Sequence, residues 1–338
     1  MSCARPNSIM AAPSLDEFAL IAEYFAPLAA NFPGALRLRD DAALVDVPEG
    51  QRVVVTTDAL VAGVHFFPDD PPGSIARKAL RVNISDVAAM GGRPTAILLA
   101  ACFPDDVTDP WLREFAAGLA EDCREYGISL IGGDTVATPG PLSLTVTALG
   151  LVAAGRELRR DRARVGDRVY VSGSIGDAAL GLEVLKGGLA LPQAAADPLV
   201  ARYRLPQPRL ALGWRLAGLA HAAMDVSDGL YSDLGHICRA SGLGATIDAD
   251  RIPLSAAARM AIRERPDLMT LVLSGGDDYE LLFTAPATAD PIISTLAGQL
   301  GLELTPIGSI IETEGLSVVN LPKGAAVTGG FMHFRGGK

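Results

Sequence analysis

Acidic residues follow short apolar runs at four points of the chain. These turns are 57–58, 132–134, 224–229 and 274–278, with the sequences Thr-Asp, Gly-Gly-Asp, Met-Asp-Val-Ser-Asp-Gly and Ser-Gly-Gly-Asp-Asp. Ligands of open α/β sheets bind at the carboxyl ends of the strands. Gly and Asp are also ordinary turn formers, which would account for one or two of the four turns. Four of them together indicate a ligand site.

Asp86 adds a carboxylate on a predicted helix over 74–90. It lies on the same helical face as three apolar residues, Ile75, Ala79 and Val82. An unpaired charge facing the interior is unfavourable, so this carboxylate needs a metal ion or a cationic partner. A pair with Arg, or a capped backbone turn, is the alternative explanation.

The oxygen-rich character of these candidates defines the expected chemistry. Carboxylate and hydroxyl ligands without His or Cys favour Mg²⁺ held between protein and substrate phosphates, and they disfavour zinc. The Gly132-Gly133 step would let backbone N–H groups approach an anion closely. The usual phosphate-loop, dinucleotide and protein-kinase motifs are missing from the sequence. A nucleotide site here must therefore be of another design.

Two further motifs are ambiguous. His65 follows Asp58 by seven residues and precedes Phe66, and both substrate contact and simple packing explain it. The segment 173–177, Gly-Ser-Ile-Gly-Asp, resembles a phosphate loop, but a tight connection from a strand to a helix explains it at least as well. We leave this segment out of the predicted site.

Alternating strands and helices are predicted to position these residues. Predicted helices cover about 15–30, 74–90, 110–126, 209–220 and 228–240, and predicted strands cover 53–55, 95–103, 128–131, 142–152, 168–172, 223–226, 270–274 and 279–285. This alternation predicts an α/β or layered α+β fold. The stretch 154–167, rich in Gly, Arg and Asp, separates a predicted N-terminal α/β domain (1–153) from a C-terminal α/β domain (154–338).

Composition narrows the class of protein. The net charge of −10 argues against nucleic-acid and membrane-surface partners, because both are polyanions that favour basic patches. Four distant cysteines show no zinc or redox spacing and are expected to be reduced; they are Cys3, Cys102, Cys123 and Cys238. The apolar runs are shorter than the ~20 residues of a transmembrane helix, and no signal-peptide core is evident. A cytoplasmic location is expected.

Six segments resemble the thiamine-monophosphate kinase family and occur in family order. They are 55–66 (VTTDALVAGVHF), 82–91 (VNISDVAAMG), 130–135 (LIGGDT), 225–230 (DVSDGL), 234–236 (LGH) and 274–281 (SGGDDYEL). The Gly-Gly-Asp motif also occurs across a wider superfamily of ATP-using synthetases. The motifs at 63–66 and 275–281 together indicate this kinase. The resemblance covers nearly the whole chain and implies the two-domain fold of aminoimidazole-ribotide synthetase, with the N-terminal domain forming a homodimer.

The resemblance also implies a reaction and a set of site residues. ATP would phosphorylate thiamine monophosphate to thiamine diphosphate by direct in-line transfer, assisted by several Mg²⁺ ions and without a general base. The implied metal ligands are Asp41, Thr56, Thr57, Asp58, Asp86, Asp134, Asp225 and Asp228. The implied ATP contacts are Gly133, Asp134, Arg160 and Ser227, and the implied substrate contacts are His65, Asp277 and Phe331. The family usually has Glu at the position of Asp277, and Asp278 is a candidate to compensate for the shorter side chain.

Two alternatives stay open. The same scaffold could serve another ATP-using synthetase, of the aminoimidazole-ribotide, selenophosphate or hydrogenase-maturation type, and turnover with thiamine monophosphate would distinguish them. A non-catalytic nucleotide-binding regulator is the second alternative. The complete set of aspartates argues against it.

Overall fold

The computed structural model describes residues 17–327. Backbone contacts divide the chain into two compact units. Unit 1 contains the described residues up to Asp46 together with Thr57–Leu80 and Thr95–Leu149, and unit 2 contains Val47–Thr56, Arg81–Pro94 and the chain from Gly150 onward. The predicted domain division into 1–153 and 154–338 stays a prediction.

Strands and helices alternate along the described chain. The strands are β1 (Gln51–Val61), β2 (Arg93–Pro104), β3 (Ser129–Thr138), β4 (Ser143–Ala153), β5 (Arg168–Ser172), β6 (Ala222–Asp225), β7 (Gly244–Asp248), β8 (Leu281–Ala285), β9 (Leu304–Ile311) and β10 (Gly315–Val319). The α-helices are α1 (Glu17–Leu20), α2 (Pro72–Ala89), α3 (Asp109–Tyr126), α4 (Asp177–Leu185), α5 (Gln193–Arg204), α6 (Leu210–Leu216), α7 (Leu230–Ser241), α8 (Ala256–Glu264), α9 (Met269–Ser274) and α10 (Asp290–Leu300). Within residues 17–327, no helix combines the length and hydropathy needed to cross a membrane.

The first sheet has four strands in the order β1-β4-β2-β3. Strands β2 and β3 are parallel, with Leu99 opposite Gly133 and Ala100 opposite Asp134. Leu99 is buried whereas Ala100 is exposed, because successive side chains of a strand point to opposite faces. Asp134 therefore lies on the more exposed face of this sheet.

Helix α3 shows how local sequence sets an element. Pro110 occupies its first turn, where the missing N–H has no intrahelical partner. Gly127 ends the helix in the left-handed conformation, with φ of 67°. Leu112, Phe115 and Leu119 recur at helical spacing and are buried. The predicted helix over 110–126 is confirmed.

The second sheet has six strands in the order β10-β7-β9-β5-β8-β6 and belongs to unit 2. Strand β5 pairs antiparallel with both β8 and β9, and β8 also pairs antiparallel with β6. Val169 and Val171 of β5 enter one apolar cluster, whereas Tyr170 enters another and stacks on Phe283. Apolar side chains thus cover both faces of the sheet centre. Strand β6, which ends at Asp225, lies at the sheet edge.

Some predicted boundaries are wrong. Residues 56–58 and 132–134 lie within β1 and β3 rather than after them, since β3 remains paired with β2 as far as Thr138. Residues 269–274 form helix α9 instead of a strand, and Met269, Val272 and Leu273 are buried at helical spacing. Helix α6 ends at Leu216, four residues earlier than predicted. The predicted first helix begins outside the described residues; from residue 17 it continues as α-, π- and 3₁₀-helical turns to residue 29.

Candidate active site

Two carboxylates from distant parts of the sequence meet in unit 2. Asp86 lies on α2, and Asp225 is the last residue of β6. Thr56 Oγ1 donates to Asp86 Oδ2 at 2.5 Å, and Ser85 Oγ donates to Asp225 Oδ2 at 2.7 Å. Three of the predicted metal ligands are therefore brought together, with Ser85 as a partner that sequence reasoning missed.

The electrostatics of this pair disfavour ionisation. Burial, followed by repulsion from Asp86, raises the pKa of Asp225 to about 8, although the Ser85 hydrogen bond opposes the shift. Burial also raises the pKa of Asp86, and the hydrogen bond from Thr56 and the charge of Arg160 oppose it. A bound cation would relieve the repulsion and favour the ionised forms. The donor set and its charge thus fit a hard divalent cation.

The turn between β6 and α7 is held by a residue that the sequence analysis missed. Asp233 Oδ2 accepts the backbone N–H groups of Ser227 and Asp228, each at 3.0 Å. Asp233 is 1% exposed, and burial, followed by the charge of Asp228, raises its pKa to about 7. An acidic residue in the first turn of a helix was the available signal, because such residues often cap backbone N–H groups.

Arg160 belongs to the same group of side chains. Its positive charge opposes the rise that burial causes in the pKa of Asp86 and Asp233, and it adds to the lowering of the His236 pKa by burial and Arg239. The Arg160 side chain is exposed, while its carbonyl oxygen accepts a hydrogen bond from Ser241 Oγ at 3.1 Å. An exposed guanidinium on a hydrogen-bonded backbone is suited to phosphate oxygens.

The loop from Ser274 to Glu280 is joined to the β6–α7 turn by backbone hydrogen bonds. Asp277 N–H donates to the Ser227 carbonyl at 2.9 Å, and Tyr279 N–H donates to the Val226 carbonyl at 2.8 Å. Asp277 and Tyr279 have positive φ values of 70° and 51°, which are uncommon for residues other than glycine. The predicted substrate residue Asp277 is thereby brought beside the predicted ATP residue Ser227.

Asp278 connects this loop to the start of helix α4. Its buried carboxylate accepts the N–H groups of Gly176 at 2.7 Å and Ala178 at 3.4 Å. Asp278 is therefore engaged within the protein and does not compensate for the shorter Asp277 side chain. The same contact gives the phosphate-loop-like segment 173–177 a structural role.

The remaining predicted residues that the structure describes lie in unit 1. Asp41, Gly133 and Asp134 line one cavity of about 640 Å³. Thr147 also lines this cavity, and its hydroxyl lies 3.0 Å from Thr57 Oγ1. Three predicted residues thus line this cavity, and Thr57 contacts its lining at Thr147.

Asp58 and His65 are the last two predicted site residues that the structure describes. Phe331, the remaining one, lies outside the described residues. Asp58 is half-buried on β1, and strand alternation puts its side chain on the face opposite that of Thr57. His65 Nδ1 accepts the Val61 N–H at 3.0 Å, and the His65 carbonyl accepts Lys78 Nζ at 2.9 Å. The position of the His65 ring is therefore set by its own turn.

Gly133 has a structural requirement independent of any ligand. A Cβ atom at this position would lie 1.9 Å from the Leu99 carbonyl oxygen of the paired strand. Close strand pairing alone therefore excludes a side chain. The glycine does not by itself demonstrate a phosphate contact.

Comparison with known proteins identifies the family. The family model "AIR synthase related protein, N-terminal domain" matches residues 39–152, and the corresponding C-terminal domain model matches residues 164–320. The thiamine-monophosphate kinase of Salmonella typhimurium is 44% identical over 324 residues, covering 94% of this chain and 98% of that protein. The chain belongs to the thiamine-monophosphate kinase family.

Solved structures of thiamine-monophosphate kinases have the same fold. The Stenotrophomonas maltophilia K279a enzyme is 44% identical, with a TM-score of 0.78 and coverage of 86% of this chain and 91% of that chain. AaThiL complexed with AMPPCP and TMP is 32% identical, with a TM-score of 0.75 and coverage of 94% and 97%. The expected fold, the resemblance to this kinase family and the prediction of an enzyme are confirmed. The individual site assignments remain predictions.

A buried ion network around Glu280 lies next to the β6–α7 turn of this family member. Glu280 is not exposed and accepts Arg202 Nη2 at 2.7 Å and Arg209 Nε at 2.6 Å. Ser172 Oγ also donates to this carboxylate, at 2.5 Å. Because the Glu280 carbonyl accepts the Val226 N–H at 2.8 Å, the network continues directly into the β6–α7 turn. Sequence reasoning assigned none of these residues beyond the Tyr-Glu-Leu motif.

We expect Asp278→Ala to destabilise this kinase-family protein by about 2–4 kcal/mol, since two buried N–H groups lose their acceptor. Asp278→Asn should destabilise it less, because an amide oxygen still accepts. Burial raises the pKa of Asp278 well above its ordinary value. The stability contributed by its protonated form is present at low pH and is lost as pH rises through the folded-state pKa. The free energy of unfolding of Asp278→Asn should therefore rise relative to that of the native protein as pH increases. Urea denaturation across pH 5–9 would measure this difference, and a fall in the relative stability of the variant would contradict the prediction.

Proposed function

We propose that this chain transfers the γ-phosphoryl group of ATP to thiamine monophosphate, forming thiamine diphosphate and ADP. The observation that carries the proposal is the Asp86–Asp225 pair beside the turn that contains Ser227 and Asp228, with Arg160 within electrostatic range. The AaThiL complex with AMPPCP, an ATP analogue, and TMP supports the choice of both substrates. Membership of the kinase family favours this reaction over those of other synthetases on the same scaffold.

Several Mg²⁺ ions are part of the proposal. The proposed ligands are Asp41, Thr56, Thr57, Asp58, Asp86, Asp134, Asp225 and Asp228. All donate oxygen, and the raised pKa of Asp225 marks a carboxylate that a cation would stabilise in its ionised form. Bound Mg²⁺ supplies neutralisation of phosphate charge and alignment of the two phosphates.

The proposed nucleotide and substrate contacts divide between two groups. Gly133, Asp134, Arg160 and Ser227 are the proposed ATP contacts, and Arg160 offers a guanidinium for phosphate oxygens. His65, Asp277 and Phe331 are the proposed thiamine-phosphate contacts. An acid and an aromatic ring suit the cationic thiazolium.

The acceptor explains why no general base is proposed. Its phosphate has a second pKa of about 6, by analogy with phosphorylated side chains, and is already a nucleophile at neutral pH. Direct in-line transfer follows, without a phosphorylated enzyme. Incubation with γ-³²P-labelled ATP, followed by rapid acid quench, should leave the protein unlabelled; a trapped phosphoprotein would overturn direct transfer.

A homodimer is also proposed, formed through the N-terminal domain (1–153), with the C-terminal domain (154–338) contributing ATP and substrate contacts. Supporting it, Val136 of β3 is 44% exposed, and its pairing partner on β2 is Cys102. These two apolar side chains are a small part of an interface, and the dimer is otherwise implied by the family resemblance. Sedimentation equilibrium of the full chain would test the dimer.

A cytoplasmic location stays a prediction.

The decisive test is an assay of the full chain with ATP, thiamine monophosphate and a Mg²⁺ titration. Chromatography should show thiamine diphosphate accumulating in proportion to ADP and none after Mg²⁺ is chelated. Parallel reactions with selenide or with the aminoimidazole-ribotide precursor should give no turnover. Turnover with either of these and none with thiamine monophosphate would refute the proposal, and ATP binding without any turnover would favour a regulator.

A further inference from the structure

We propose that Asp228, Asp233 and His236 form a divalent-cation site that binds a first-row transition ion such as Mn²⁺ through two carboxylates and one imidazole. The proposal deepens the proposed function, on which it rests for Asp228 as a metal ligand. One ligand atom from each residue lies within 4.8 Å of the others. Ligands of one ion at about 2.0–2.2 Å are separated by at most about 4.0–4.4 Å, so only a small movement is needed.

Asp233 supplies the observation that points to a ligand. Its Oδ2 atom accepts two backbone N–H groups, from Ser227 and Asp228. Its Oδ1 atom is buried and has no hydrogen-bond partner among residues 17–327. A buried carboxylate oxygen without a partner is unfavourable unless a cation or an ordered water occupies the space beside it. The two N–H groups hold the carboxylate in place while leaving this oxygen for a ligand.

His236 is suitably placed on the same helix. It follows Asp233 by three residues, so both side chains lie on one face of α7. An acid and a histidine at this spacing recur in metal-binding helical proteins. The His236 Nδ1 atom lies 3.2 Å from Arg239 Nη2, and because a guanidinium only donates, Nδ1 carries a lone pair. The exposed Arg239 can move away when a cation approaches.

The contact with Arg239 agrees with a neutral imidazole, because a doubly protonated ring would have no lone pair at Nδ1 to accept the guanidinium N–H. Neutral imidazole is the form that binds metals. An imidazole beside two carboxylates favours Mn²⁺, Co²⁺ or Zn²⁺ over Mg²⁺, which prefers oxygen ligands. This site therefore favours a different metal ion from the all-oxygen sites proposed elsewhere in the protein, which favour Mg²⁺.

Pulsed electron paramagnetic resonance of bound Mn²⁺ tests the site directly. The full chain, freed of metal with a chelator and loaded with Mn²⁺ without ATP or substrate, should show modulation from a directly bound ¹⁴N nucleus. His236→Gln should abolish this modulation. The matched control, His221→Gln, should retain it, since His221 contacts Asp167 rather than the cluster.

Affinity measurements test the carboxylate. Asp233→Asn should weaken Mn²⁺ binding at the nitrogen-coordinated site by at least about tenfold, measured from the free-Mn²⁺ signal. If the Asn variant does not fold, the partly exposed His236 still decides the question. Absence of ¹⁴N modulation in the native protein, or its persistence in His236→Gln, would overturn the proposal. These spectra require no turnover, so their failure leaves the kinase assay unaffected, and failure of that assay leaves the spectra interpretable.

Discussion

Replacing Asp225 with Asn should lower the rate of thiamine diphosphate formation by about a thousandfold, while the protein remains folded. The amide preserves the shape of the side chain and can still accept the Ser85 hydroxyl. It removes one negative charge from the proposed metal site, where electrostatic contributions to catalysis of this size are typical. Steady-state assays at saturating ATP and Mg²⁺ would measure the loss.

The same substitution should preserve or increase thermal stability at high pH, although it lowers activity. Burial and Asp86 raise the pKa of Asp225 to about 8, so in metal-free buffer the native protein loses stability as pH rises from the unfolded value of about 4 through 8. Asp225→Asn lacks this ionisation and should melt at an equal or higher temperature at pH 9. Added Mg²⁺ should stabilise the native protein more than the variant.

A control distinguishes the site from a general effect of lost charge. Asp267 is an exposed acid whose partner is Arg265 at 2.8 Å, and Asp267→Asn should retain nearly full activity. If Asp225→Asn kept more than a tenth of the native rate, the metal-ligand assignment would be wrong. If it lost both activity and folding, the buried contact with Ser85 would be the dominant role.

Removing the Glu280 carboxylate should lower the free energy of unfolding by about 3–5 kcal/mol. Glu280→Ala leaves Arg202 and Arg209 without their shared anion. The loss is costly because these side chains are only 13% and 19% exposed, so water replaces the anion poorly. The Ser172 hydroxyl loses its acceptor as well. Urea denaturation followed by circular dichroism would measure the loss.

A conservative variant and a surface pair provide the comparison. Glu280→Gln keeps an acceptor oxygen and should lose less stability than Glu280→Ala. The exposed pair of Arg159 and Asp161 at 2.5 Å is the control, and Asp161→Ala should change the stability far less than Glu280→Ala does, because solvent screens exposed ion pairs. Equal effects of Glu280→Ala and Asp161→Ala would show that burial does not strengthen the Glu280 network.

Elements with strong local signals were predicted well. Strand β5 has the predicted limits, and α3 covers Asp109–Tyr126, beginning one residue before the predicted 110–126. The segment 270–274 was predicted to be a strand because a short run of mostly apolar residues is compatible with either structure. Strands β1 and β3 extend beyond their apolar cores because pairing with neighbouring strands continues through polar residues. Such pairing depends on distant segments.

The amino-acid sequence by itself determined the chemistry of the candidate ligands, their order along the chain and, through that order, the kinase family. Only the tertiary structure decided which of these residues meet. Ser85 and Asp225 are 140 residues apart and share a hydrogen bond, whereas Asp277 and Asp278 are adjacent and have different roles. Asp233 became part of the site because its buried carboxylate holds the turn at Ser227. The physical reason is that burial and neighbouring charges set what a carboxylate does, and non-local packing creates both.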